Sequence, residues 1–205
     1  MSRTVIVGIT GQTGAGKSTL AKILSKSGIP IIDADIEAKE VLKKDKSLIP
    51  LLKKEFGSDI TNSNGILNRK LLASRAFTSD QNTKKLNDIM FPSILSEIKN
   101  KIEFLKKSKV NIIAIDAPLL FESGLNNICN IIISVTAGYA TRLDRIIKRD
   151  NITIDLARKR ISVQKSEKYY KDRSDVILNG ELSLDEFKHE AEKIVYQIRK
   201  KAYSE

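Results

Sequence analysis

A chain of 205 residues, 41% hydrophobic and 30% charged, has material for one sizeable core with an insertion or lid, and not for a second independent domain. No apolar stretch approaches the roughly 20 residues that cross a bilayer, and Met1-Ser2-Arg3-Thr4-Val5 runs straight into a strand-like segment, leaving no room for a signal peptide. The net charge of +11 comes with only 5% aromatics, no tryptophan and lysines spread over most predicted helices, a pattern that speaks against nucleic acid and for solvated surface or a phosphate-rich small molecule.

The first apolar run, Thr4 to Ile9, predicts a strand, followed by a Gly-rich turn and a helix from about Lys17 to Ser27. A second run, Ile29 to Ile32, ends on Asp33. From about Val41 to Lys109 the pattern is helical with few strand signals; this is too long for a crossover and predicts an inserted helical subdomain. The third run, Val110 to Ile115, ends on Asp116, and the fourth, Ile128 to Val135, precedes a basic helical stretch, Ala137 to Arg173, placed where a lid would sit. A fifth short run spans Asp175 to Leu178. Ser183 and Glu186 then form a capping box ahead of a last helix with Leu184, Phe187, Ala191, Ile194, Val195 and Ile198 on one face. Apolar runs alternating with amphipathic stretches predict an α/β fold, a parallel five-stranded sheet between two helical layers. The lone His189 is expected to face solvent. Cys129, the only cysteine, cannot form an internal disulfide and fits a reducing compartment, the cytoplasm; in its apolar run it reads as a small core residue.

The strongest motif is Gly11-Gln12-Thr13-Gly14-Ala15-Gly16-Lys17-Ser18-Thr19, which matches G-x-x-x-x-G-K-[ST] between a strand and a helix. Glycines let successive amides point inward at phosphate oxygens, and the helix N-terminus adds partial positive charge. Lys17 would neutralise the outer phosphates of ATP or GTP, and Ser18 offers a hydroxyl to Mg²⁺.

Ligands of open parallel sheets gather beyond the carboxyl ends of the strands, so Asp33 and Asp116 should face the nucleotide. Asp33 is the candidate to take a proton from an acceptor hydroxyl; Asp35 either joins it or serves the helix that follows. Asp116 either holds the metal or secures the strand end. Glu122 either lines the acceptor site or is a surface carboxylate. Arg142, Arg145 and Arg149 fall on one helical face, which suits a lid closing on phosphates or, with Asp144 and Asp150 as partners, a solvated face. Arg158, Arg160, Lys165 and Lys168 read as surface.

These segments together resemble one family, the dephospho-coenzyme A kinases, from Ile6 to about Gly180. The resemblance is carried by Gly8-Ile9-Thr10-Gly11 with the P-loop, by Gly28-Ile29-Pro30-Ile31-Ile32-Asp33-Ala34-Asp35, and by Phe56-Gly57. Gly65-Ile66-Leu67-Asn68-Arg69-Lys70-Leu71-Leu72, Asp116-Ala117-Pro118-Leu119-Leu120-Phe121-Glu122 and Arg145 to Asp150 continue it, with Gln164 and Asp175-Val176-Ile177-Leu178-Asn179-Gly180. The resemblance implies a P-loop kinase core with a helical acceptor-binding insertion and a lid. It implies ATP and Mg²⁺, and phosphorylation of the ribose 3′-hydroxyl of dephospho-coenzyme A, the last step of coenzyme A synthesis. Carried over by position, it puts Thr10, Asp35, Arg69, Leu119 and Glu122 at the acceptor and Asn179 near the adenine. Two positions depart from the family: Phe91-Pro92 stands where His-Pro is usual, and Asn68 where Asp is common. Another small-molecule or nucleoside-monophosphate kinase, or a P-loop switch, is the competing reading; no Asn-Lys-x-Asp element for guanine occurs. Monomer and homo-oligomer both fit the sequence.

Overall fold

The computed structural model describes residues 4–203; Met1, Ser2 and Arg3 of the predicted leaderless start lie outside them. The elements in chain order are β1 (Val5–Gly11), α1 (Lys17–Lys26), β2 (Ile31–Asp33), α2 (Ala34–Lys44), α3 (Leu48–Phe56), α4 (Arg69–Ala76) and α5 (Asp80–Lys107). They continue with β3 (Ile112–Asp116), β4 (Ile131–Thr136), α6 (Tyr139–Asp150), α7 (Ile154–Ser162), α8 (Glu167–Lys171), β5 (Val176–Asn179) and α9 (Leu184–Tyr203). The chain divides into two compact units, Met1–Asp33 with Ile102–Glu205, and Ala34–Lys101.

In the first unit all five strands are parallel, in the order β2-β3-β1-β4-β5. β1 and β3 are buried along their whole length, as expected of strands covered on both faces. Alternate residues Val5, Val7, Ile9, Ile112, Ala114, Ile133, Val135 and Leu178 point to one face, where Leu20 and Leu24 of α1 and Phe187, Ala191, Ile194 and Ile198 of α9 meet them. Ser134 and Thr136 point the opposite way, and Ser134 hydrogen-bonds Ser174 at 2.6 Å while Thr136 donates to Glu167 at 3.3 Å. This puts α8 on the second face. The predicted α/β fold with a five-stranded parallel sheet is borne out.

Some boundaries differ for local reasons. Ile128 ends a 3-10 turn, Leu125–Ile128, and the fourth strand begins only at Ile131. Asn130 sets that start: its Oδ1 accepts from Ile6 N at 2.8 Å and its own N–H donates to Ile6 O at 2.7 Å. The capping box forms, with Glu186 Oε2 accepting from Ser183 N at 3.0 Å and Ser183 Oγ accepting from Glu186 N at 3.3 Å. Leu184, expected on the core face of the last helix, is instead 58% exposed, because the first turn of α9 borders a pocket. α6 and α7 carry a small core of their own, Ile146, Ala157 and Ile161.

The second unit is helical, with one isolated antiparallel bridge, Thr61 to Leu67. It begins at Ala34, earlier than the predicted Val41, since α2 starts directly after β2. Val41, Leu48, Leu52, Phe56, Leu72, Ile94 and Ile98 are buried. α2 and α5 are also linked by polar contacts, Lys44 to Glu97 at 3.1 Å and Lys101 to Glu37 at 2.6 Å, and Asp45, just past α2, accepts from Ser93 at 2.9 Å. Pro92 sits inside α5, where it forgoes one main-chain bond without ending the helix.

Candidate active site

β1 delivers the chain into the Gly-rich loop, and the loop turns because only glycine fits its first position. Gly11 has φ 141°, and a Cβ there would overlap the carbonyl of Val135. Gln12 N donates to that carbonyl at 3.2 Å. Gly16 then precedes α1, so the loop amides and the positive end of α1 share one concavity, the arrangement that binds phosphate. Lys17 and Ser18 open the helix, Ser18 exposed and Thr19 half-buried.

Lys17 Nζ is paired with Asp116 Oδ1, both largely buried. Asp116 ends β3 in register with Asp33 at the end of β2 and with Ile9 of β1. Neighbours in register project to the same face, on strands about 4.8 Å apart, so the two predicted carboxylates stand side by side at the carboxyl edge beside the cradle. Asp33 immediately precedes α2, and Asp35 is exposed in its first turn, where negative charge suits the helix end.

The three arginines of α6 part company. Arg145 Nη1 donates to Gly14 O and Ala15 O, each at 3.3 Å. Arg142 is 7% exposed and donates from Nη1 to Gln164 Oε1 at 2.9 Å; its Nε is buried without a hydrogen-bond partner. Burial draws its pKa below the ordinary arginine value, offset in part by Tyr170 and Glu167. Arg149, predicted with them at the nucleotide, turns instead to Asp150, donating from Nε at 2.7 Å and Nη2 at 2.9 Å, and Arg160 joins the same carboxylate. Asp150 supplies the pairing partner that the helical-face pattern could not rank against phosphate. Asp144 pairs with Lys148 at 2.8 Å.

Thr10, expected to touch the acceptor, is fully buried and donates to Pro118 O at 3.2 Å. That bond fastens the loop after β3 to β1. That loop leaves Leu119 42% exposed and Glu122 exposed, with Tyr169 Oη donating to Glu122 Oε1 at 3.4 Å. Phe121, Tyr169 and Tyr170 pack edge-on or tilted, and the Arg173 guanidinium lies 4.2 Å from the Tyr169 ring centre. Burial, with Glu122 nearby, pushes the Tyr170 hydroxyl up to about 12 and raises Tyr169, so both remain protonated. Arg69, in the helical unit, donates to Lys39 O at 3.1 Å, next to Asn68, which caps α4 by accepting from Leu71 N. Cys129, expected as a core residue of the fourth strand, instead follows the 3-10 turn ahead of β4 and is half-buried; its thiol donates to Leu125 O, and burial raises it to about 12.

Behind the cradle lies a pocket of about 240 Å³. Ala15, Gly16 and Thr19 line it together with Arg145, Gly180, Leu182, Leu184 and Phe187. A Cβ on Gly180 would overlap the carbonyl of Ala15, so glycine is what lets the turn after β5 close against the loop. Asn179 shapes that turn, its Oδ1 accepting from Glu181 N at 2.9 Å. The sequence pattern carries no separate signal for the contact of Gly180 with Ala15 or for the two hydrogen bonds to Gln164, because neither periodicity nor a short motif encodes contacts between distant segments.

A parallel sheet with a strand–GxxxxGK[ST]–helix cradle and strand-end carboxylates defines a P-loop phosphotransferase. The dephospho-CoA kinase family model matches residues 5–186. A dephospho-CoA kinase of Fusobacterium nucleatum is 35% identical over 95% of this chain and 98% of its own length, and one of Arabidopsis thaliana is 34% identical over 95% and 84%. A solved structure from Thermus thermophilus, 25% identical, superposes with a TM-score of 0.77 over 95% of this chain and 98% of its own. The chain belongs to the dephospho-CoA kinase family.

Proposed function

We infer that this chain transfers the terminal phosphate of ATP to the ribose 3′-hydroxyl of dephospho-coenzyme A, giving coenzyme A and ADP. The observation that carries the reading is the juxtaposition of Lys17, Asp116 and Asp33 around the cradle, in a chain of this family. The loop amides and Lys17 grip the phosphates, and Arg145 and Arg142 meet charge that spreads over the transferring group. The pocket behind Ala15 and Gly16 has the size and apolar walls for the adenine of ATP. Asp33 orients the acceptor hydroxyl and takes its proton as the new oxygen–phosphorus bond forms and the bond to ADP breaks.

Ser18 and Asp116 would hold Mg²⁺. Their hydroxyl and carboxylate oxygens are the hard ligands it prefers, and among the described residues no cluster of three His, Cys, Asp or Glu could cage a metal alone. That fits an ion held jointly by protein and phosphates, which would screen charge on the transferring group. Asp35, Arg69, Leu119 and Glu122 are assigned to the acceptor. No helix among the described residues is long and apolar enough to cross a membrane, and the free Cys129 supports a cytoplasmic setting.

The test offers ATP–Mg²⁺ with dephospho-coenzyme A, with nucleosides and nucleoside monophosphates, and with no acceptor, and follows ADP. Release only with dephospho-coenzyme A, with phosphate on the 3′ oxygen, is expected. Equal release with a nucleoside monophosphate would make this another small-molecule kinase, and equal release without acceptor an ATPase or switch.

A further inference from the structure

Gln164 lies in the short loop between α7 and α8. Its Oε1 accepts two hydrogen bonds, from the Thr13 main-chain N–H at 3.1 Å and from Arg142 Nη1 at 2.9 Å. A loop amide and a guanidinium are the two kinds of donor a P-loop kinase turns on phosphate. Here one neutral oxygen joins them. The contact belongs to a continuous clasp on the cradle. Lys165 O accepts from Gln12 Nε2 at 3.3 Å, the main chain of Arg142 packs so closely on Gly14 that a Cβ there would lie 2.9 Å from its carbonyl oxygen, and Arg145 bonds the carbonyls of Gly14 and Ala15.

Arg142 is enclosed, with little water to hold it, and its Nε still lacks a partner. A buried cation is stable only if its donors are engaged. The engaged Nη1 leads through Gln164 to Thr13, so the guanidinium is held two hydrogen bonds from a cradle amide. The choice of amide over carboxylate matters chemically. A glutamate would bind Arg142 more strongly, but it would cancel the charge and repel phosphate; glutamine accepts both bonds and leaves the positive charge available.

We propose that Gln164 is a positioning residue for phosphoryl transfer: through its single amide oxygen it fixes the Arg142 guanidinium against the Thr13 edge of the cradle, where it meets the oxygens of the transferring phosphate. The proposal rests on the kinase reading above.

The experiment is a double-mutant cycle on the full chain, Gln164→Leu, Arg142→Ala and both, with kcat, both KM values and melting temperature measured for each. Gln164→Leu is expected to lower kcat roughly 10- to 100-fold, the worth of a hydrogen bond to a charged group, with the KM for ATP within about two-fold and the melting temperature nearly unchanged. In the Arg142→Ala background it should cost nothing further. Gln164→Glu should keep more kcat than Gln164→Leu while raising the KM for ATP. An equal loss with and without Arg142, or a lowered melting temperature at unchanged kcat, would overturn the proposal. If Gln164→Leu does not fold, Gln164→Met completes the same cycle. If wild type hydrolyses ATP without phosphorylating dephospho-coenzyme A, the function reading fails while the cycle still reads on hydrolysis.

Discussion

The nucleotide-binding core and the helical unit are built on different physics. In the core, parallel strands bury both faces and leave chemistry only at their carboxyl ends, so Asp33 and Asp116 fall in register beside a loop whose shape glycine dictates. In the helical unit, Ala34–Lys101, helices share a modest apolar core supplemented by side-chain bonds such as Asp45 with Ser93 and Glu37 with Lys101. Large apolar side chains stand exposed in both units, Ile36, Ile66 and Phe77 in the helical one and Val163 and Tyr196 in the core. A site made of one loop and two strand ends is compact in sequence and leaves little freedom. A surface assembled from several helices spreads its determinants along the chain.

Substitutions in the core should therefore act on chemistry, and those in the helical unit on stability or on the acceptor alone. The largest effect belongs to Lys17→Ala. It removes the cradle's buried cation and should lower kcat by roughly 10³-fold or more. A folded variant with ordinary turnover would break the assignment of the ATP site. Asp33→Asn keeps the shape but cannot take a proton, so a kcat loss of roughly 10²-fold is expected, at the lower end for an acid–base group because the transition state is loose. ATP affinity should hold, since Lys17 and the loop amides remain. Lost ATP–Mg²⁺ affinity at unchanged kcat would make Asp33 a metal-shell residue. Next comes a pair on one helix: Arg145→Ala should cost roughly 10- to 100-fold in kcat, whereas Arg149→Ala, which leaves Asp150 paired with Arg160, should cost less than about two-fold. Equal losses would restore Arg149 to the nucleotide.

Much of this was legible in advance, and unevenly. The P-loop, the strand order of apolar runs and the strand-end carboxylates are local patterns, so periodicity and one motif sufficed for the α/β fold and for the position of the cradle. Arg142, Arg145 and Arg149 share a helical face, yet only the structure separates them, because the pattern carries no information on whether Asp150 or the cradle is the partner. Thr10 is placed at the acceptor only by the family resemblance; alternation along β1 turns it into the interior toward Pro118. The early start of the helical unit was not legible either. Asp35 reads either as a partner of Asp33 or as serving a helix that follows, and those three residues do not say that the helix starts as early as Ala34.

The smallest predicted catalytic effect is also the sharpest test of the contrast. Glu37 is 3% exposed, with Oε1 bound to Lys101 at 2.6 Å and Oε2 buried without a hydrogen-bond partner. Lys101→Met would leave that carboxylate enclosed with its cation gone. Breaking a fully buried pair costs about 3–5 kcal/mol, but the Lys101 side chain is 43% exposed. Solvent screens part of the interaction, so a loss of about 1–3 kcal/mol is expected. Replacing both residues, Glu37→Leu with Lys101→Met, removes the stranded charge as well and should recover most of the loss, because an apolar pair needs no desolvated partner. Urea midpoints of wild type, single and double variants measure this directly. Through the series kcat and the KM for ATP should stay within about two-fold, since every donor assigned to the nucleotide lies in the other unit. A kcat that fell with the single variant and returned with the double would instead tie the Glu37 pair to the chemistry, and the division of labour between the two units would be wrong.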